Sequence, residues 1–150
     1  MKRNENIMIL SRDHHFGLLC SWKIRQEVKK EVESSRIRSY IFYFWKNHLE
    51  EHFREEEQIL FPCLKDEYSF RVQSEHFRIK TLVSSIENEG NTELCLEFAD
   101  LLDQHIRFEE RSWFPHLEEK LDAETLKKIG KELNRIHSDE KDSYKDEFWK

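Results

Sequence analysis

The chain has little of what usually interrupts helices, because its 150 residues include only three Gly and two Pro. Glycine and proline are the strongest breaks in regular structure, so their scarcity favours long helices joined by short connections. The three cysteines, Cys20, Cys63 and Cys95, are far apart and form no C-x-x-C pair. This pattern argues against a disulfide framework or a thiolate metal site and is typical of reduced thiols that pack as small apolar residues.

An excess of positive charge is also missing, and so are long hydrophobic runs. The formal net charge of -6 argues against a nucleic-acid-binding surface and against a basic membrane-binding patch. No apolar run approaches the length of a membrane span, and the run at residues 7–10 is too short for the core of a signal peptide. We therefore expect a cytoplasmic protein whose partners include neither nucleic acid nor membrane.

Hydrophobic periodicity predicts four long helices and a shorter fifth one. The length of the chain suits a single domain, residues 1–150, with a substantial core. Ser11, the Ser34-Ser35 pair and Asp122 are suitable residues to cap the first, second and fifth helices. Short connections imply antiparallel neighbours, so we expect an all-α fold: an up-down-up-down four-helix bundle over about residues 10–117, with a short C-terminal helix and a charged tail in residues 118–150. The predicted helices cover residues 12–32, 36–61, 70–87, 93–114 and 123–136.

Two segments of the chain are nearly the same. Residues 52–62 read HFREEEQILFP and residues 105–115 read HIRFEERSWFP, so both follow H-x-R-x-E-E-x-x-x-F-P. On a helix, residues four apart lie on one face, which pairs His52 with Glu56 and His105 with Glu109. Each closing proline is expected to end its helix, so the two pairs should lie at matched heights. Two imidazoles and two carboxylates around one point are the ligands of a carboxylate-bridged pair of iron or manganese ions.

The other two bundle helices carry histidines as well. A single H-x-x-x-E pair is weak evidence in a sequence so rich in Glu, but His76 lies on the third predicted helix, and His14 and His15 lie on the first. His14 continues a face that includes small residues, which would leave room for metals and a further molecule. That face favours His14 narrowly, and His15 remains the alternative. The His14 face contains Leu10, Gly17, Leu18, Ser21, Ile24 and Val28, whereas His15 shares its side with Leu18, Leu19 and Trp22.

Residues close to the repeated segments are expected to have other roles. Glu57 and Glu110 are rotated by about 100° from the preceding Glu, so they should face solvent or a helix flank. His48 lies one turn before the first segment. It could be an additional ligand or an outer hydrogen-bond donor, but the favoured interpretation is a partly buried histidine that bonds to backbone or to a carboxylate. His116 and His137 follow the bundle and are expected at the surface.

The order His, H-x-x-x-E, His, H-x-x-x-E, with EEQILFP closing the second helix, resembles the hemerythrin-like, or HHE cation-binding, domain over about residues 10–117. The resemblance implies a four-helix bundle that holds a non-haem di-iron centre, with Glu56 and Glu109 bridging the metals. Lys80 stands four residues after His76, where the oxygen-carrying members have a second His, so the pattern is closer to the four-His, two-Glu iron-centre-repair proteins. The implied ligands are His14 or His15, His52, Glu56, His76, His105 and Glu109.

Imidazole and carboxylate ligands suit iron, with manganese possible, so the expected cofactor is a pair of iron ions. An open coordination position would admit a small molecule such as dioxygen, nitric oxide or peroxide. Two function classes need the same ligands and both stay open. One is a module that binds or senses dioxygen, nitric oxide or iron. The other is a di-iron oxidoreductase of the peroxidase or ferroxidase type.

Overall fold

A computed structural model of the chain describes residues 2–89 and 91–137, and this part of the chain contains helices and no strand. It forms five helical rods, and the predicted charged tail, residues 138–150, lies outside the described residues. The second and fourth rods are interrupted by five-residue π-helical segments. The rods are α1 (Met8–Lys29); α2 (Ser34–Phe44), π1 (Trp45–Leu49), α3 (Glu50–Glu55), π2 (Glu56–Leu60) and a 3-10 turn (Phe61–Cys63); α4 (Glu67–Glu89); α5 (Thr92–Phe108), π3 (Glu109–Trp113) and α6 (Phe114–Lys120); and α7 (Ala123–Ile136).

The first four rods pack side by side around a common interior. Helix α1 packs mainly against α5, α5 packs against α4, and α2 contacts both α4 and α1. The predicted all-α helical bundle is therefore confirmed, whereas the up-down-up-down order stays a prediction. Among the described residues, none of the helices is both long enough and apolar enough to cross a bilayer.

Two buried apolar clusters divide the bundle along its length. The first, which we call the upper cluster, includes Cys20, Ile79 and Phe98. The second, which we call the lower cluster, includes Leu10, Val72 and Trp113, and α7 packs onto it. Each rod of the bundle runs from one cluster to the other, so the residues between the clusters are held from both sides by close-packed apolar side chains. The α7 side chains in the lower cluster are Leu126, Ile129 and Leu133.

One of the three predicted caps is confirmed. The Ser34-Ser35 pair does not cap the second rod, because both residues lie within α2, which begins at Ser34. Asp122 caps α7 as predicted, because its carboxylate accepts a hydrogen bond from the Thr125 backbone N–H at 2.8 Å. The prediction that Ser11 caps α1 is wrong, since α1 begins three residues earlier at Met8. Ile7 and Leu10 are fully buried in the lower cluster, and this burial extends the helix beyond the polar residue that could have capped it.

Pro115 does not end its helix, contrary to the prediction from the repeated segments. It lies in the first turn of α6, directly after the π3 segment. Proline is tolerated in a first turn because the backbone N–H that it lacks has no intrahelical partner there. In the matching segment, Pro62 lies in the 3-10 turn that closes the second rod, so that part of the prediction holds. The two repeated segments share a further feature. Each contains a π-helical stretch that begins at its inward Glu, which is Glu56 in one segment and Glu109 in the other.

Candidate metal centre

A layer of polar side chains lies between the two apolar clusters. Every rod of the four-rod bundle contributes at least one, and none of them exposes more than 4% of its surface. The two H-x-x-x-E pairs face inward together because residues four apart share a helix face. The six inward residues are His14 on α1, His52 on α3, Glu56 at the start of π2, His76 on α4, His105 on α5 and Glu109 at the start of π3.

These residues form two overlapping groups, each with ligand atoms within 4.8 Å of one another. His14 and His52 belong to the first group and His76 and His105 to the second, while Glu56 and Glu109 belong to both.

The carboxylate of Glu109 spans the two groups. Its Oε1 lies 2.8 Å from His14 Nε2, and its Oε2 lies 2.8 Å from His105 Nε2. Glu56 spans them in the same way, with Oε2 3.3 Å from His52 Nε2 and Oε1 2.9 Å from His76 Nε2. All four imidazoles therefore present Nε2 to the shared carboxylates. This is the arrangement that two carboxylate-bridged metal ions require.

Several atoms at the middle of the layer lack hydrogen-bond partners. They are fully buried, although a buried polar atom without a partner costs roughly 1–3 kcal/mol. Two of them approach each other, since His105 Nε2 lies 2.8 Å from Glu109 Oε2, but the pair is not aligned as a hydrogen bond. Lone pairs that converge in this way fit a bound cation. The unsatisfied atoms at the centre are His52 Nε2, Glu56 Oε2, His105 Nε2 and Glu109 Oε2.

A second ring of carboxylates surrounds the four imidazoles. The Nδ1 atom of each imidazole lies within hydrogen-bond distance of an acidic side chain on another rod, and the four contacts close a circle around the bundle. Such outer carboxylates fix the tautomer, so that Nδ1 donates and Nε2 keeps its lone pair for a metal. The pairs are His14 with Glu110 at 2.7 Å, His52 with Asp13 at 3.0 Å, His76 with Glu57 at 2.9 Å and His105 with Glu75 at 2.7 Å.

The carboxylates create a strongly negative interior. Burial lowers the pKa of His76, but the carboxylates of Glu109, Glu56 and Glu57 beside its ring outweigh this effect and raise that pKa to about 10. The pKa values of the other three inward histidines are raised for similar reasons. Burial raises the pKa of Glu109, yet the charge of His105 and hydrogen bonds from its neighbours hold it well below its usual range. Without metal the layer takes up protons, which a bound cation would have to displace.

The two candidate histidines on α1 lie in different surroundings. His14 is buried and belongs to the first group, whereas His15 is exposed and contacts the ring of Phe16. His48 is buried among aromatic rings, including that of Phe44, and belongs to neither group. His116 stacks on Tyr68 and is partly buried.

The second Glu of each repeat lies at a solvent-facing or flanking position, but it also contacts an inward histidine, which was not predicted. Glu57 has 47% of its side chain exposed, in line with a solvent-facing position, yet it holds His76. Glu110 has only 30% exposed and bonds both His14 and the Ser11 hydroxyl, which donates to it. Both are outer partners of inward histidines.

Asp13 and Glu75 are the other two outer carboxylates, and their roles were not predicted from the sequence. One signal could have found the whole set, because each outer carboxylate is the sequence neighbour of an inward residue. Asp13 precedes His14 and Glu75 precedes His76, as Glu57 and Glu110 follow their inward Glu. A neighbour turned by about 100° on a helix points toward the next rod.

His137, expected at the surface, is instead mostly buried. Its side chain is 11% exposed, and it bonds Glu55 at 2.8 Å and approaches Asp13 Oδ1 at 3.3 Å. Hydrogen bonds to these two carboxylates raise the pKa of His137 to about 10. The C-terminal end of α7 is thereby attached to residues that directly adjoin the inward layer.

Each group lies beside an aromatic ring and a cavity. The ring of Phe114 stacks on His14 at 5.3 Å, and an open surface cavity of about 530 Å³ borders His76. A cavity of about 10 Å³ adjoins His14 and His52, and it is bordered by Gly17. In the second group, the ring of Phe53 stacks on His76 at 3.8 Å and meets His105 edge-on at 5.4 Å. The remaining wall of the smaller cavity is formed by Asp13, Phe44, His48, Leu49 and Ile106.

Comparison with protein families gives one result that bears on this site. The family model described as the hemerythrin HHE cation-binding domain matches residues 17–117. The matched range includes five of the six inward residues, and His14 precedes it. Comparisons with curated proteins and with solved structures give no match.

Proposed function

Because the chain belongs to the hemerythrin HHE cation-binding domain family, we propose that it holds two non-haem iron ions and uses them to bind or sense a small molecule such as dioxygen or nitric oxide. The observation that carries this proposal is the double contact of Glu56 and Glu109. Each carboxylate has one oxygen toward the first pair of histidines and the other toward the second pair. His14 and His52 would hold one ion, and His76 and His105 would hold the other.

The donor set supports iron. Four imidazoles and two carboxylates are borderline to hard ligands, which suit iron, with manganese as the alternative. The four unsatisfied atoms at the centre belong to this donor set and fit bound cations. Iron bound there would supply a redox-active centre with room for an exogenous ligand.

The outer carboxylates strengthen the four histidines as metal ligands. Each accepts the Nδ1–H of an inward histidine, which makes the imidazole more basic and fixes its orientation. Stronger donors favour the higher oxidation state of a metal. We infer that this ring would help the protein to hold iron in its higher oxidation state.

The small enclosed cavity beside His14 and His52 supports a small ligand on the first ion. The cavity next to His14 and His52 has about 10 Å³, close to the least that holds one water molecule. Phe53 covers the histidines of the second group. This space excludes an organic substrate and restricts the site to a very small molecule. Gly17 borders this space and lets the side chain of Ile106, another lining residue, approach the α1 backbone closely, since a Cβ built on Gly17 would meet Cδ1 of Ile106.

The test uses the full chain loaded with iron under anaerobic conditions. We expect nitric oxide, and separately dioxygen, to change the visible spectrum with a stoichiometry of one molecule per pair of irons, and removal of the gas to restore it. Repeated consumption of peroxide or ferrous iron, at many equivalents per chain, would instead indicate the peroxidase or ferroxidase type of enzyme. A loaded protein whose spectrum responds to none of these would contradict the proposal.

A further inference from the structure

A third group of ligand-type side chains lies outside the inward layer, where α1, α3 and the end of α7 meet. It consists of Asp13, Glu55 and His137, whose ligand atoms lie within 4.8 Å of one another. His137 Nδ1 is 2.8 Å from both carboxylate oxygens of Glu55, and His137 Nε2 is 3.3 Å from Asp13 Oδ1. The group therefore brings together one imidazole and two carboxylates from three separate parts of the chain.

Both carboxylates are removed from solvent. Asp13 is 8% exposed and Glu55 is 2% exposed, and a buried carboxylate is costly unless its charge is compensated. Among the ion pairs of the described residues, none joins a Lys or Arg to either carboxylate. Protonation of His137 supplies one positive charge against two negative ones. His52 adds none when it is a neutral metal ligand, so the group keeps an excess of negative charge.

The two oxygens of Asp13 face different partners. Oδ2 lies 3.0 Å from His52 Nδ1, on the side of the inward layer, and Oδ1 faces His137. Asp13 can therefore keep its hydrogen bond to His52 while its other oxygen binds a cation. His137 is the most exposed member of the group, with 11% of its side chain accessible, and it offers the approach from solvent.

We propose that Asp13, Glu55 and His137 form a third cation site, separate from the dinuclear centre, that takes a divalent transition-metal ion such as manganous or ferrous ion. A divalent ion with a neutral His137 balances the two carboxylates, which a proton on His137 does not. Carboxylate oxygens and one imidazole nitrogen suit manganese and iron, and water completes the coordination on the His137 side. The site shares no ligand with the dinuclear centre, and it rests on the proposed function only in that a metal-bound His52 is neutral.

The experiment titrates the full chain with Mn²⁺ after the centre has been loaded with iron and the iron content has been measured. Free Mn²⁺ gives a strong EPR signal that bound Mn²⁺ loses, so the bound amount can be counted. We expect one saturable Mn²⁺ per chain, with no release of iron. The variants Glu55→Gln and His137→Gln should lose this binding and keep the iron. His116→Gln is the matched control, because His116 forms a comparable pair with Asp66 at 2.6 Å elsewhere and should leave Mn²⁺ binding unchanged.

Absence of saturable Mn²⁺ binding in the wild-type chain would overturn the proposal, as would equal binding in wild type and both variants. Two substitutions on different elements guard against misfolding of either one, and circular dichroism verifies that each remains helical. The iron count distinguishes this outcome from failure of the proposed function. Suppose that the wild-type chain holds no iron but binds one Mn²⁺, and that each of the single variants Glu55→Gln and His137→Gln loses this Mn²⁺. That result would support the third site and contradict the dinuclear centre.

Discussion

Substitution of Glu75 tests whether the outer carboxylates act on the metals through the histidines. Glu75 is 9% exposed, and its Oε1 lies 2.7 Å from His105 Nδ1. Its other oxygen accepts a hydrogen bond from Arg71 Nε at 3.1 Å. Glu75→Ala removes the charge and the hydrogen-bond acceptor, whereas Glu75→Gln keeps an acceptor oxygen and removes only the charge. Comparison of the two variants therefore separates electrostatic from orientational effects.

The expected size follows from two independent scales. A hydrogen bond to a charged group contributes about 1.5–3 kcal/mol. Loss of an outer partner of a metal-bound histidine typically lowers metal affinity about 10–100-fold, which is about 1.4–2.7 kcal/mol. We therefore expect Glu75→Ala to weaken iron binding about 10–100-fold and Glu75→Gln to weaken it by about tenfold or less, because neutral hydrogen bonds are roughly half as strong.

The assay is competition for iron with a chelator, in which the chelator concentration that removes half the iron reports relative affinity. Glu57→Ala is the informative comparison, since Glu57 holds His76 from a side chain that is 47% exposed and water can replace it. We expect a smaller loss there, and none in Glu89→Ala, an exposed position at the end of α4. An unchanged midpoint in Glu75→Ala, or a loss no greater than in Glu89→Ala, would refute the reasoning.

Three further changes have distinct expected outcomes. His14→Ala should reduce the iron content from about two ions per chain toward one or fewer while His15→Ala retains it, and equal iron in both variants would remove His14 from the centre. Chelation should lower Tm while circular dichroism retains its helical signal, because the two apolar clusters remain. The metal-free protein should then lose stability as pH rises from about 6.5 toward 10, because the pKa of His76 is raised to about 10 in the folded state. A free energy of unfolding, measured with urea, that does not fall across this pH range would contradict the prediction. Gly17→Ala should weaken nitric oxide binding without loss of iron, because the added methyl displaces Cδ1 of Ile106, which lines the cavity; equal binding would argue against the cavity as the ligand site.

Much of the fold could be predicted because the signals that specify it are local. The bounds of α7 agree with the sequence, since Asp122 caps it through its own backbone neighbourhood. The H-x-x-x-E spacing likewise fixes which face His52 and Glu56 share, whatever they pack against. The start of α1 could not be predicted in this way, because burial of Ile7 against distant residues decides it.

The outer parts of the site depend on how the rods pack. Glu75 holds His105 from the neighbouring rod, and sequence spacing within one helix does not report such a contact. His137 follows the last helix, and this position predicted a surface residue. Its contact with Glu55, which is 82 residues away in the sequence, depends on how α7 packs and could not be predicted from local sequence. The inner ligands follow from periodicity. The outer carboxylates can be recognised as sequence neighbours of the inner ligands, but which histidine each of them holds follows from the arrangement of the rods.

Iron content of matched glutamate variants tests the central claim most directly. We expect close to two iron ions per wild-type chain after anaerobic reconstitution, measured as the molar ratio of metal to protein. Glu56→Ala and Glu109→Ala should lose much of this iron, because each carboxylate contacts histidines of both groups. Glu57→Ala and Glu110→Ala, which also lose one carboxylate each, should retain more of it. Less than half an iron per wild-type chain, or full retention in Glu56→Ala and Glu109→Ala, would contradict the carboxylate-bridged centre.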